Sequence, residues 1–125
     1  MKFFLFFSHS LTNQQIKDVY RTFGDVEIVN LPDNLRFKLS NVPPEIDDLG
    51  KYVKDFEKYL LENSTSGDLV LIQGEFGLVY RLVEFSKSIS LIPIYATTKR
   101  ITKEIIKDGK VVKISEFKHI RFRRY

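Results

Sequence analysis

Cysteine is absent from the 125 residues, which excludes disulfides, thiolate catalysis and any zinc site built on sulfur. Histidine is scarce. His9 and His119 lie far apart with no carboxylates at ligand spacing, so there is no metal motif, and neither a metal nor another cofactor is expected. No apolar run approaches the ~20 residues needed to span a membrane. The start, Met1-Lys2-Phe3-Phe4-Leu5-Phe6-Phe7, sets a lysine before apolar residues as a signal peptide does. Its apolar run is too short, however, and Ser8-His9-Ser10 leads into a helix pattern, so it reads as a buried strand. A cytoplasmic location with no membrane partner is the expectation. Walker, GxGxxG and GxSxG motifs are missing, as are repeats, low-complexity runs and linkers. Ser8-His9-Ser10 also lacks the acidic residues that a receiver domain needs after its first strand.

What is present suits one domain spanning residues 1–125, with 43% hydrophobic and 14% aromatic residues in 14.7 kDa. The net charge of +4 and a pI near 9.3 favour an anionic partner. From Lys99 to the end there are ten Lys and Arg against three acidic residues, whereas Asp33 to Asp68 is near neutral or acidic. A solvated terminal strand is the plain explanation of that surplus.

The organising stretch runs from Gly67 to Arg100. Leu69 to Ile72 reads as a buried strand, Gln73-Gly74-Glu75-Phe76-Gly77 as a turn opening a helix, and Leu91 to Tyr95 as a second strand ending in Thr97-Thr98-Lys99-Arg100. In such a βαβ unit ligands sit outside the carboxyl ends of the strands. Upstream, Lys2 to Phe7 predicts a central strand. Thr12 with Gln15 forms a capping box, and Leu11 with Ile16 a hydrophobic staple. Ile16, Val19, Tyr20 and Phe23 share a helical face that Gly24 ends. Val26 to Leu31 predicts a strand, and Leu35 to Val42 a short irregular helix. After Pro43-Pro44, the stripe Ile46, Leu49, Val53, Phe56 and Leu60 predicts the best helix of the chain. Gly77, in the first turn of the next helix, predicts close approach of a backbone or ligand, and Pro93 predicts an edge strand or a bulge.

Asp108-Gly109 predicts a two-residue hairpin turn pairing Ile106 with Val111, Ile105 with Val112 and Glu104 with Lys113. Continuing by twos sets Phe117, His119, Arg121, Arg123 and Tyr125 on one basic, aromatic face. The fold class expected is α/β: a Rossmann-like, mostly parallel sheet flanked by helices, with a C-terminal antiparallel hairpin over about residues 100–125.

Four clusters can embrace a phosphodiester: Ser8-His9-Ser10, Gln73 to Phe76, Thr97 to Arg100, and the His119/Arg121/Arg123 stripe. Each also has a plain structural reading: helix entry, a tight turn, a strand end and a solvated edge strand, respectively. Donors of this kind suit metal-free cleavage of RNA by attack of a ribose 2′-OH on its own phosphate. Lys99, Arg100 and the backbone at Gly74 would stabilise the developing charge, a histidine would move the proton, and Phe76 or Tyr80 would stack on a base.

At FSHSLT (Phe7–Thr12), LIQGEFG (Leu71–Gly77), LIPIYATTKR (Leu91–Arg100) and FKHIRFRRY (Phe117–Tyr125) the chain resembles the small stand-alone CRISPR-associated ring nucleases of the Csx type, related in fold to CARF sensor domains. The resemblance implies a homodimer that binds cyclic oligoadenylate, above all cyclic tetra-adenylate, across its two-fold axis. It implies metal-free cutting to linear di-adenylate with a 2′,3′-cyclic phosphate, which switches off type III CRISPR antiviral signalling. Ser8 and Lys99 or Arg100 match by position the residues that act on the phosphate. The expected catalytic set is thus Ser8, Lys99, Arg100 and His119. The expected ligand-binding set is His9, Ser10, Gln73, Gly74, Glu75, Phe76, Thr97, Thr98 and Arg121. No DNA partner is expected. The competing readings are a sponge that binds without cutting and a general RNA-binding protein that uses the basic stripe.

Overall fold

Phe3, Phe4 and Phe6 are completely enclosed, and a strand apolar at successive positions needs cover on both faces. The computed structural model, which describes all residues from Met1 to Tyr125, supplies that cover. Strand β1 (Lys2–Phe6) lies inside a five-stranded sheet of order β2-β1-β3-β4-β5, formed with β2 (Glu27–Asn30), β3 (Leu69–Ile72), β4 (Ile92–Lys107) and β5 (Lys110–Arg124). The first four strands run parallel, and β5 returns antiparallel to β4. The architecture is therefore α/β, with a mostly parallel sheet flanked by helices and closed by a C-terminal antiparallel pair.

Alternation along β1 separates two cores. Phe3 and Leu5 pack with Val19, Leu69, Leu71, Ile94 and Phe122 beneath α1 (Asn13–Phe23). Phe4 and Phe6 pack on the other face with Leu35 and Leu39 of α2 (Asp33–Ser40), Phe56 and Leu60 of α3 (Lys54–Asn63), and Leu78 and Leu82 of α4 (Phe76–Ser88). From β1 the chain turns to β2 on one side and then crosses to β3 on the other, so the strand order reverses between β1 and β3. The capping box at Thr12 is formed on both sides, and Gly24, at φ 81°, ends α1.

Several expectations need correction. Tyr20 is exposed, because the buried face of α1 is set by Gln15, Asp18 and Val19. The helix expected from Ile46 begins only at Lys54, and Ile46 is 41% exposed. Asp48 accepts from the Gly50 backbone N–H at 2.6 Å, a local turn that competes with helix at that point. A Cβ on Gly77 would meet the Leu49 side chain at 3.3 Å, so the close approach there is side-chain packing, together with the Glu75 carboxylate at 3.5 Å. Pro93 is not on an edge strand. The N–H groups of Ile92 and Ala96 face β3, so the missing donor of Pro93 faces β5, whose pairing begins only at Ile94 with Arg124.

Two further differences concern the C-terminal pair. Thr97 to Arg100 do not follow a strand end: β4 continues through them to Lys107, so the hairpin projects beyond the parallel sheet. Its register follows the expected pairs, with Asp108 and Gly109 at φ 51° and 74°. The alternation nonetheless breaks between Thr97 and Thr98, which pair with Arg121 and His119 and leave Ile120 as an extra residue. This bulge shifts the phase of β5. His119 shares the α1 face with Phe122, while Arg121, Arg123 and Tyr125 turn to the opposite face, so the continuous stripe does not exist.

Truncating Phe6 should cost about 3–5 kcal/mol, whereas Ile46→Ala should stay within about 0.5 kcal/mol. Urea unfolding of the two variants checks this, and a large loss at Ile46 would contradict the short α3.

Candidate functional site at the carboxyl edge of the sheet

The reversal between β1 and β3 places the segments after those strands at the edge where open α/β sheets bind ligands. Gln73 braces this edge. Its backbone N–H donates to the Phe6 carbonyl at 3.1 Å, and its side-chain Oε1 accepts from the Ala96 N–H at 2.8 Å, extending the sheet where β3 ends. Only its amide nitrogen is left to offer a ligand. Glu75 caps α4: its two carboxylate oxygens accept from the N–H groups of Gly77 at 3.1 Å and Leu78 at 2.9 Å. A helix N-terminus draws an anion, and here the chain supplies its own, so a phosphate at this turn must displace Glu75. Phe76 is 93% exposed beside it, and the Tyr80 hydroxyl donates to Glu84 at 2.9 Å.

On the α1 face a depression of about 330 Å³ gathers His9 and Ser10 after β1, Gln14 of α1, Thr98 of β4, and Phe117 and His119 of β5. The His9 ring lies 5.2 Å from that of Phe7. Thr98 faces the depression because it pairs with His119, and Arg100 continues the same ribbon face opposite Phe117, with its Nε and Nη2 on the Ser115 hydroxyl at 3.2 and 3.0 Å. Lys99, one residue earlier, pairs with Lys118 on the other face. Lys99 and Arg100 of one chain therefore cannot reach the same phosphate from the same side. Thr97 also faces away, its hydroxyl exchanging hydrogen bonds with the Arg121 backbone. The Ser8 carbonyl accepts from Arg36 at 3.4 Å. The fold thus brings together His9, Ser10, Thr98 and His119, with Arg100 adjacent, and leaves Ser8, Lys99, Thr97, Arg121 and the segment Gln73 to Phe76 outside the depression. The largest concavity, about 1340 Å³, is elsewhere, an open and mixed-charge cleft of α3 and α4 that includes Asp48, Lys54, Glu57 and Arg81.

His119 is buried to 7% exposure, and its Nε2 lies 2.6 Å from Oδ2 of Asp18 on α1. The other oxygen of Asp18 accepts from Arg21 at 2.6 Å and from the Thr22 hydroxyl at 2.9 Å. Burial acts to raise the Asp18 pKa, but the hydrogen bonds from Arg21, His119 and Thr22 outweigh it and hold the carboxyl below its ordinary value. With Asp18 ionised, Nε2 carries the hydrogen, and His119 Nδ1 is left buried without a partner. Sequence reasoning missed Asp18. Its signal was an acidic residue three positions after Gln15 and next to Val19, inside the apolar face of an amphipathic helix.

The profile of the uncharacterized protein MJ1673 family matches residues 1–123. This chain belongs to that family. Uncharacterized protein MJ1673 of Methanocaldococcus jannaschii is 48% identical over 124 residues, covering 99% of this chain and 96% of the relative. The likeness to MJ1673 thus extends through the projecting hairpin as well as the parallel sheet. No solved structure matches.

For this MJ1673-family chain the Asp18 network predicts acid sensitivity. A carboxyl whose folded pKa is depressed contributes stability that is present above its unfolded value, 3.8, and is lost as pH falls through the folded value. Asp18→Asn should flatten the acid limb of a stability-versus-pH curve and destabilise by about 1–3 kcal/mol near neutrality, since its single amide oxygen cannot serve both His119 and the Arg21–Thr22 pair and the charge is lost. Thermal unfolding from pH 2 to 7 measures both, and an unchanged acid limb would contradict the network.

Proposed function

We propose that this protein is a metal-independent ring nuclease that binds cyclic oligoadenylate, with cyclic tetra-adenylate as the first substrate to test, and so ends type III CRISPR antiviral signalling. The observation that carries the reading is the depression at the carboxyl edge, where hydroxyls, imidazoles and an aromatic ring converge beside Arg100. The reaction needs the ribose 2′-oxygen to attack its adjacent phosphorus while the bond to the 5′-oxygen breaks, giving a 2′,3′-cyclic phosphate and a free 5′-hydroxyl. A base must take the 2′ proton, and an acid must protonate the leaving oxygen.

In this reading the roles differ from those expected from sequence. Ser10, Thr98 and Arg100 sit on one face and act on the phosphate, in preference to Ser8 and Lys99. His9, exposed at the rim, is the imidazole for proton transfer, and His119, tied to Asp18, shapes the floor. Phe117, 71% exposed and lining the depression, is the base platform, ahead of Phe76 and Tyr80. A two-fold ring fits a homodimer in which each copy supplies half a site.

One observation favours a second reading. The Nδ1 of His119 is sealed from solvent, so if His119 is the essential proton carrier, the resting protein is a cyclic oligoadenylate sponge.

Incubation with labelled cyclic tetra-adenylate in EDTA, followed by product separation, tests the proposal. Linear di-adenylate with a cyclic phosphate is expected. Arg100→Ala should slow cleavage ~10²–10³-fold and His9→Ala ~10²–10⁴-fold, while Lys99→Ala should change it little. Retained ligand without product supports the sponge, and neither binding nor product refutes both readings.

A further inference from the structure

The projecting hairpin holds the whole electrostatic surplus of the chain. Residues 99–118 carry seven of the 20 Lys and Arg but only three of the 16 Asp and Glu, a net +4, while the other 105 residues carry thirteen of each and are neutral. Beyond the last β3–β4 pair, Leu71 with Ile94, this ribbon is paired only with itself. Its charge is also sorted by face. Cross-strand pairing puts Lys99, Lys103, Lys107, Lys110 and Lys118 on the face opposite the depression, with only Glu116 against them. Between these lysines lie Ile101, Ile105, Val112 and Ile114, the last three about 40% exposed.

The dimensions and the chemistry together select a partner. From Lys99 to Lys107 the arm extends ~27 Å at 3.4 Å per residue, long enough to lie within the major groove over a fraction of a turn of duplex DNA. A two-stranded ribbon fits the major groove, where aliphatic side chains can meet thymine methyl groups while lysines at either side reach phosphates. A second copy fits poorly, because stacking two such faces antiparallel brings the tip lysines, Lys107 and Lys110, onto the base lysines, Lys99 and Lys118. A membrane fits less well, since the tip, Lys107-Asp108-Gly109-Lys110, is polar and the most exposed aliphatic residues beside it, Ile106 and Val111, lie on the face opposite the five lysines.

We propose that the β4–β5 arm is a DNA-binding ribbon that lies along the major groove of a duplex, with its five same-face lysines on phosphates. A DNA partner departs from the expectation from sequence, which rests on the basic stripe of β5 and not on the lysine face of the hairpin. The proposal does not depend on the nuclease reading, because all five lysines face away from the depression, although Lys99 and Lys118 adjoin its lining residues along the chain.

The test is fluorescence anisotropy of the full-length protein with a labelled DNA duplex of about two helical turns, titrated over a range of salt. Binding with a log–log salt slope near −4.5 is expected for five phosphate contacts at about 0.9 each. The combined variant Lys103→Gln, Lys107→Gln and Lys110→Gln should reduce that slope by about 3. Lys51→Gln, Lys54→Gln and Lys58→Gln, which remove the same charge from the body, should leave it unchanged. Duplex RNA should bind more weakly because its major groove is too narrow for the ribbon. No binding at low salt, equal losses in both triple variants, or tighter binding to single-stranded RNA or to anionic lipid vesicles would each overturn the proposal. Cleavage of cyclic tetra-adenylate by the arm variant should match that of the parent protein, so failure of the DNA proposal and failure of the nuclease reading remain separate results.

Discussion

Everything in this fold depends on hiding both faces of β1. Phe3, Phe4, Leu5 and Phe6 leave no side of the strand fit for water, so the chain must place strands on both flanks and helices on both faces. Burying one such side chain is worth about 1.5–3 kcal/mol, and four in sequence leave little freedom in where the strand can sit. The reversal of strand order follows from this, because the chain leaves β1 on one side to make β2 and must return past it to reach β3. The reversal in turn opens the carboxyl edge between the segments that follow β1 and β3. The residues of that edge are thus placed by a requirement that concerns hydrocarbon alone.

Much of this was legible in the sequence because it is local. The apolar run of β1, the capping box at Thr12, the stop at Gly24 and the register of the Asp108-Gly109 hairpin each depend on a few adjacent residues. What was not legible depends on contacts distant in sequence. The phase of β5 is set by one unpaired residue, Ile120, and nothing in its neighbours announces that the alternation slips there. That slip separates His119 from Arg121 and Arg123 and turns it toward Asp18, 101 residues away. Pro93 misled for a related reason: which edge its missing donor faces is a property of the assembled sheet. Of the candidate site residues, the hydroxyl and imidazole cluster after β1 is placed at this edge by its position along the chain, but which of Ser8 and Ser10, or of Lys99 and Arg100, faces the depression depends on the assembled sheet.

Electrostatically, the carboxyl edge combines satisfied and open groups. Glu75 neutralises the start of α4 and Asp18 engages Nε2 of His119, so two of the strongest polar features near the site are already engaged within the protein. Ser10, Thr98 and His9 are bound less firmly. A site with this division is rigid where it is anchored and adaptable at its rim.

The length of the arm has one more consequence. Beyond the parallel sheet β4 has lost its inner neighbour and β5 never had an outer one, so both sides of the ribbon expose unsatisfied backbone N–H and C=O groups. Such edges are templates for strand addition between molecules, and the aliphatic residues on this ribbon would favour stacking into fibrils. Lysine spaced along both strands is the usual guard against that outcome, because each would-be added strand would bring like charges together. Colloidal behaviour and charge are therefore linked in this protein: any condition that neutralises the arm also removes the barrier that keeps its bare strand edges apart.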